Sequence, residues 1–338
     1  MGLLRFILAM LVLLSHTGWN INGFNPGVTA VVIFYLIAGY VVDRLLHAGQ
    51  ILGKRTHEFY LDRLWRLLPA YLSALLFSTL ILACVQPESY FLSAEPSLLA
   101  WLGNLLIVPL NYYMYTGIDR FTLLPPAWSL GTEIQFYLLA PLLFCLPARL
   151  FTLIYCSSLL IWVLAQTPLL NTDHFGYRLL PGILFIFMTG MLLARLNTPG
   201  RPIPPGTRPL LKALWLVILA YTLLLWFSGT HRPHDREVAT GLLLILSFIH
   251  RPALRFGTRT EPGWSRHLGH YAYSIFLLHF PVIWLLQFLL PDTRAALFLV
   301  PVLSTLLAML TYHYIERPCW RRLRTFWALP ANRLAKHP

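Results

Sequence analysis

Leu3-Leu4-Arg5-Phe6-Ile7-Leu8-Ala9-Met10-Leu11-Val12-Leu13-Leu14-Ser15-His16 decides the fold. One cation near its start and one imidazole at its end enclose ten residues, almost all apolar. In a helix, eleven steps of about 100° return Arg5 and His16 to nearly the same face. The rise separates them by roughly 16 Å, about half of a ~30 Å hydrocarbon core. A cation and an imidazole at two depths on one stripe suit a long, thin substrate with an anionic end and a reactive end. The stretch also begins like a secretory leader. Its exit reads Ser15-His16-Thr17-Gly18-Trp19, without a small-x-small cleavage site, so it is expected to stay as a first span.

Working outward, the 338 residues are 57% hydrophobic and 12% charged. A soluble domain carries about 25% charged residues, so these apolar runs must face lipid or one another. Long runs without alternation favour helices over a barrel. The expectation is an all-α polytopic membrane protein of about ten transmembrane helices, near 3–16, 28–46, 67–85, 128–147, 149–166, 178–195, 210–228, 238–250, 268–290 and 295–315. The run 98–110 is short and contains Pro109. It is expected to lie on the outer face as an interfacial or re-entrant piece of the loop 86–127.

The net charge of +13 does not call for nucleic acid, because the basic residues sit between spans. Of the 26 lysines and arginines, only Arg120, Arg178, Arg232, Arg236 and Arg294 fall on the outer side of this drawing. The others, including Arg44, Lys54, Arg55, Arg149, Arg195, Arg201, Arg251, Arg255, Arg259, Arg266, Arg333 and Lys336, gather inside, which places both termini in the cytoplasm. Cys84, Cys145, Cys156 and Cys319 are scattered and read as small apolar fillers, with no metal site among them.

Ionisable residues within spans are costly, so each is a functional candidate. His16 and Glu133 fall at similar depth in the outer half. An imidazole backed by a carboxylate deprotonates hydroxyls; the bland alternatives are a loop-bonded interfacial histidine and a structural partner for an arginine. Arg63 and Arg66, at i and i+3 before the third span, join Arg5 at one level as a site for phosphates, or else anchor the interface with Tyr60 and Trp65. His279 precedes Pro281 by two residues and either satisfies a carbonyl freed at that proline or lines a substrate path. Asp43 and Glu316 lie near span ends, and Glu316 suits an arginine partner better than chemistry.

Arg5-x10-His16, Phe59-x3-Arg63-x2-Arg66-x2-Pro69, Trp128-Ser129-Leu130-x2-Glu133-x2-Phe136-Tyr137 and Tyr273-Ser274-Ile275-Phe276-x2-His279-x-Pro281 occur in that order. Together with Gly27-Val28, Phe34-Tyr35-Leu36-x2-Gly39-Tyr40 and Glu316-x-Pro318, they resemble the motif series of the membrane-bound acyltransferase-3 family. The resemblance implies a multi-pass protein of the bacterial inner membrane. Such a protein moves an acyl group, usually acetyl from acetyl-CoA, to a hydroxyl of a surface or exported glycan. It divides the chain into an acyltransferase-3-like transmembrane domain, 1–316, and a basic cytoplasmic tail, 317–338, suited to anionic lipid head groups. Ala38 departs from the serine usual before the glycine, and no hydrolase-like domain is appended within these residues.

The expected mechanism follows. Arg5, Arg63 and Arg66 hold the nucleotide of acyl-CoA, which acts as donor substrate rather than as a permanently bound cofactor. Ser129, Tyr273 and His279 line the substrate path, and His16 acts as general base with Glu133 behind it. A covalent acyl-His16 intermediate is a variant of the same scheme. The rival classes are a transporter or flippase of a polar or lipid-linked substrate, which need not bind CoA, and a noncatalytic assembly subunit.

Overall fold

The computed structural model describes residues 1–51, 53, 56–198, 201, 203–229, 232–247, 262–290 and 294–326, with backbone alone at 294–297 and 323–326. Lys54, Arg55, Arg251, Arg255, Arg259, Arg333 and Lys336 therefore lie outside the described residues, as do 248–250 of the eighth expected span and 327–338 of the tail.

The described residues contain no strand. They form α1 (Gly2–His16), α2 (Pro26–Ile51), α3 (Thr56–Val85), α4 (Leu98–Leu106), α5 (Tyr113–Thr116), α6 (Ala127–Cys145), α7 (Ala148–Ala165), α8 (Leu180–Leu196), α9 (Thr207–Ser228), α10 (Asp235–Ser247), α11 (Gly263–Leu289), α12 (Arg294–Thr311) and α13 (Arg317–Phe326). Seven helical stretches among them are long and apolar enough to cross a membrane. These are α2, α3, α7, α8 with the turn before it, α9, α11, and α12 run on into α13. The other three expected spans correspond to α1, which is apolar but shorter, to the brief α10, and to α6. α6 dilutes its apolar surface with Trp128, Ser129, Thr132, Glu133, Gln135 and Tyr137.

α3 runs unbroken through Arg63, Arg66 and Pro69. The π-turn Tyr312–Glu316 joins α12 directly to α13. The stretch 98–110 yields nine-residue α4, too short to span, and ends where Ile107 takes φ +67°. Three cysteines lie on exposed helix faces instead of filling the core.

α2 and α8 form the buried centre, with most of their span surface inside the protein. Gly39 and Gly190 are required there: a Cβ on either would fall about 2 Å from a backbone carbonyl oxygen of the facing helix. On one side α7, α9 and α10 complete a large apolar core with them. On the other, α1 is wedged between α2 and α11, and α3 and α12 flank α11. Gly2 and Gly269 bring the α1 and α11 backbones into direct contact, where a Cβ on Gly269 would meet Gly2 Cα at 2.4 Å. The Leu3 N–H donates to Ser265 Oγ at 3.0 Å and fixes the register.

α2 opens on Pro26, with Asn25 Oδ1 accepting the Gly27 N–H at 2.9 Å. At its other end Asp43 accepts from Arg195 Nε at 3.0 Å and from Arg201 Nη2 at 2.9–3.0 Å. All three side chains are buried, and their guanidinium faces rest on Phe151 and Phe144. The long connection between α3 and α6 is tied down by buried Asn104, whose amide donates to the carbonyls of Ala100 and Phe121 and whose oxygen accepts the Leu123 N–H. Tyr71 OH donates to the Asn104 carbonyl, and Ser78 Oγ donates to that of Leu123, so the loop is bound to α3.

Candidate active site

Two cavities meet inside the bundle. The inner one, about 150 Å³, is lined by Arg5, Arg63, Arg66, Glu133, Tyr137 and Tyr273 with apolar walls from α2 and α11. The outer one, about 320 Å³, is lined by His16, Asn25, Tyr113, Trp128, Tyr177, Arg178 and His234 among others. Val31, Ser129 and Phe276 line both. The stripe read from α1 is thus real in space, with Arg5 in one cavity and His16 in the other.

The inner cavity is cationic. Arg63 bonds Asp62 at 2.5 Å and lies over the Tyr137 ring. Arg66 stands 3.6 Å from Glu316, which also accepts from Ser274 Oγ at 2.5 Å. Arg5 makes no side-chain hydrogen bond or ion pair among the described residues. Half-buried Glu133 accepts from Tyr137 OH and lies among the three guanidiniums.

The expected pairing of His16 with Glu133 needs correction. Ser129 sits at the junction of the cavities, and Glu133, one turn further along α6, belongs to the inner one; a turn is about 5.4 Å. The ring partner of His16 is His279, with Nδ1 of His16 3.1 Å from Nε2 of His279. The rings stack at 5.1 Å, and Phe280 closes against His16. His279 is wholly buried, and its Nδ1 lies 3.2 Å from the Ile275 carbonyl. A carbonyl only accepts, so Nδ1 of His279 carries the proton and its Nε2 is left to accept. Nδ1 of His16 then donates, and Nε2 of His16 keeps a free lone pair. His279 lines neither cavity, so it is not placed on a substrate path; it bonds a backbone carbonyl, that of Ile275 instead of one freed by Pro281, and packs against His16.

Ser129 lines both cavities and Tyr273 the inner one, with Ser129 Oγ bonded to the Pro126 carbonyl and Tyr273 OH to that of Leu67. Asp43 is a structural clamp, and Glu316 pairs with Arg66. Sequence reasoning missed Arg178, whose guanidinium lies 4.4 Å over Trp128 and whose Nε bonds Asp173 at 2.9 Å. The clustered Tyr112, Tyr113, Tyr115, Trp128 and Tyr177 were the available signal. Burial raises the Tyr113 phenol to about 12 and lowers the His234 imidazole below its ordinary value. No cluster of metal-ligating side chains occurs among the described residues.

A family model described as an acyltransferase domain matches residues 1–313. An uncharacterized protein of Aquifex aeolicus is 32% identical over 57% of this chain and 86% of its own. The putative peptidoglycan O-acetyltransferase YrhL of Bacillus subtilis is 24% identical over 93% of this chain and 54% of its own. The O-acetyltransferase OatA of Staphylococcus aureus is 24% identical over 93% of this chain and 56% of its own. The chain thus spans about half the length of these two acetyltransferases. No solved structure matches it.

Proposed function

The chain belongs to the acyltransferase family whose domain covers residues 1–313, and from that premise we propose that it transfers an acetyl group from acyl-CoA, bound at the cytoplasmic side, to a hydroxyl of an extracytoplasmic glycan. The observation that carries this reading is the junction of two cavities at Val31, Ser129 and Phe276, cationic on one side and bearing His16 on the other. The distribution of basic residues supports about ten crossings of the bacterial inner membrane with both termini in the cytoplasm. The names of YrhL and OatA support O-acetylation, and that of YrhL supports a cell-wall glycan as acceptor.

In this mechanism Arg5, Arg63 and Arg66 grip the donor's phosphates. The donor's arm follows α1 upward, and its thioester supplies an activated acyl carbon near His16. Nε2 of His16, aimed by His279, takes the proton of an acceptor hydroxyl. The freed oxygen attacks the thioester carbon, the carbon–sulfur bond breaks, and the departing thiolate takes the proton from the imidazolium. An ester and a free thiol result. Proton transfer supplies about 10²–10⁴-fold, and positioning within the narrow junction supplies most of the rest. Glu133 balances the inner guanidiniums when no donor is present.

The test is mass spectrometry of surface glycans from a deletion strain carrying either the unaltered gene or His16→Ala. The acyl mass is expected to return with the first and stay absent with the second, at equal membrane levels of protein. Normal acylation by His16→Ala would end the assignment of the base.

A further inference from the structure

Arg178 has an arrangement that the transfer scheme does not use. Its Nε is held at 2.9 Å by both oxygens of Asp173. Its guanidinium is boxed by Trp128 at 4.4 Å, Tyr177 at 5.2 Å and Tyr113 at 5.3 Å. Its two terminal amino groups make no hydrogen bond among the described residues and keep surface open to the cavity that holds His16. A guanidinium with its faces on rings and its Nε tied back is a fixed fork for a planar, two-oxygen anion.

A neighbouring cavity of about 390 Å³ shares Ser15, Asn25 and His234 with the outer one and adds Arg232 and Arg236. Three of the five arginines that the charge distribution assigns to the outer side therefore line two adjoining cavities that together make a recess. The carboxylates nearby are engaged. Asp119 accepts from Tyr90 OH at 2.7 Å, Glu237 from the Asn25 N–H at 2.9 Å, and Asp235 from the N–H groups of Arg232 and Arg236.

We propose that this recess is a carboxylate-binding subsite and that the acceptor is an acidic glycan. One sugar carboxylate sits on the edge of Arg178, and further acid groups meet Arg232 and Arg236. The placement of an acceptor hydroxyl at His16 rests on the transfer reading above; the binding itself does not.

The experiment uses the full chain in lipid nanodiscs and compares tetragalacturonate with its neutral methyl ester, read by calorimetry. The acid is expected to bind at least about tenfold more tightly, the worth of one charge-assisted hydrogen-bonded contact. Arg178→Gln should erase the difference between monomeric galacturonate and its methyl ester, and Arg178→Lys should keep only part of it, since the ammonium lacks the fork. Arg232→Gln with Arg236→Gln should reduce the preference for the tetramer more than that for the monomer; this pair decides if Arg178→Gln fails to fold. Equal affinity for acid and ester, no saturable binding of either, or a monomer preference surviving in Arg178→Gln would overturn the proposal. Tighter binding of galactose 1-phosphate than of galacturonate would also overturn it, in favour of a phosphate site. Because no turnover is read, this result is separate from the outcome of the strain experiment.

Discussion

Two arginine clusters contrast within the bundle. At the end of α2, Arg195 and Arg201 converge on Asp43, their faces covered by phenylalanines, and all three side chains are sealed from solvent. In the inner cavity Arg63 is paired with Asp62, Arg66 faces Glu316, Glu133 is tied to Tyr137, and the Arg5 side chain has no hydrogen bond or ion pair among the described residues. The first cluster spends its charge on holding α2 to α8 and to the loop beyond. The second leaves Arg5 without a bonded partner of its own. Position at a helix end, shared by most of these arginines, does not separate a strut from a ligand site; a single buried carboxylate bridging two guanidiniums marks the strut.

The contrast breaks first at Asp43. Asp43→Ala leaves two buried guanidiniums without a counter-charge, and a loss of about 3–5 kcal/mol is expected, seen as a large fall in melting temperature in detergent. Replacing all three partners by apolar residues should recover most of it. Arg5→Met should do the reverse: an unchanged or slightly raised melting temperature, with transfer from subsaturating acyl-CoA down about 10- to 100-fold. A destabilised Arg5→Met protein would make that cluster structural too. Arg63→Ala should raise the KM for acyl-CoA about tenfold and leave the acceptor KM alone; the opposite pattern would move the donor site. The smallest effect is expected from Glu316→Gln. Its 3.6 Å contact with a partly exposed Arg66 is worth about 0.5–1 kcal/mol, so donor KM should shift only about two- to fivefold, most visibly at low salt.

How legible this was from sequence follows from what sets each feature. Helix positions came from apolar runs, a local property, and the stripe from Arg5 to His16 needed only helical periodicity. Side-chain partners across helices depend on rotation and crossing, which hydropathy does not encode. Depth alone suggested Glu133 as the partner of His16; a single turn of α6 carries it into the other cavity. His279 stands 263 residues from His16, and the Gly2–Gly269 contact that unites their helices has no signature beyond two small residues. Asp43 looked like a boundary residue because its arginines come from another helix and a loop. Arg178 looked like one more loop cation because its cage is assembled from three separate segments.

The two histidines lie near opposite ends of the chain, and the lone pair on the first depends on the second. On the proposed mechanism, a ribosome must therefore deliver α11 into the membrane before His16 of α1 is aimed. On that reading, a partial translation product, or a fragment clipped in the loops between, carries Arg5, Arg63 and Arg66 without the ring that orients the base.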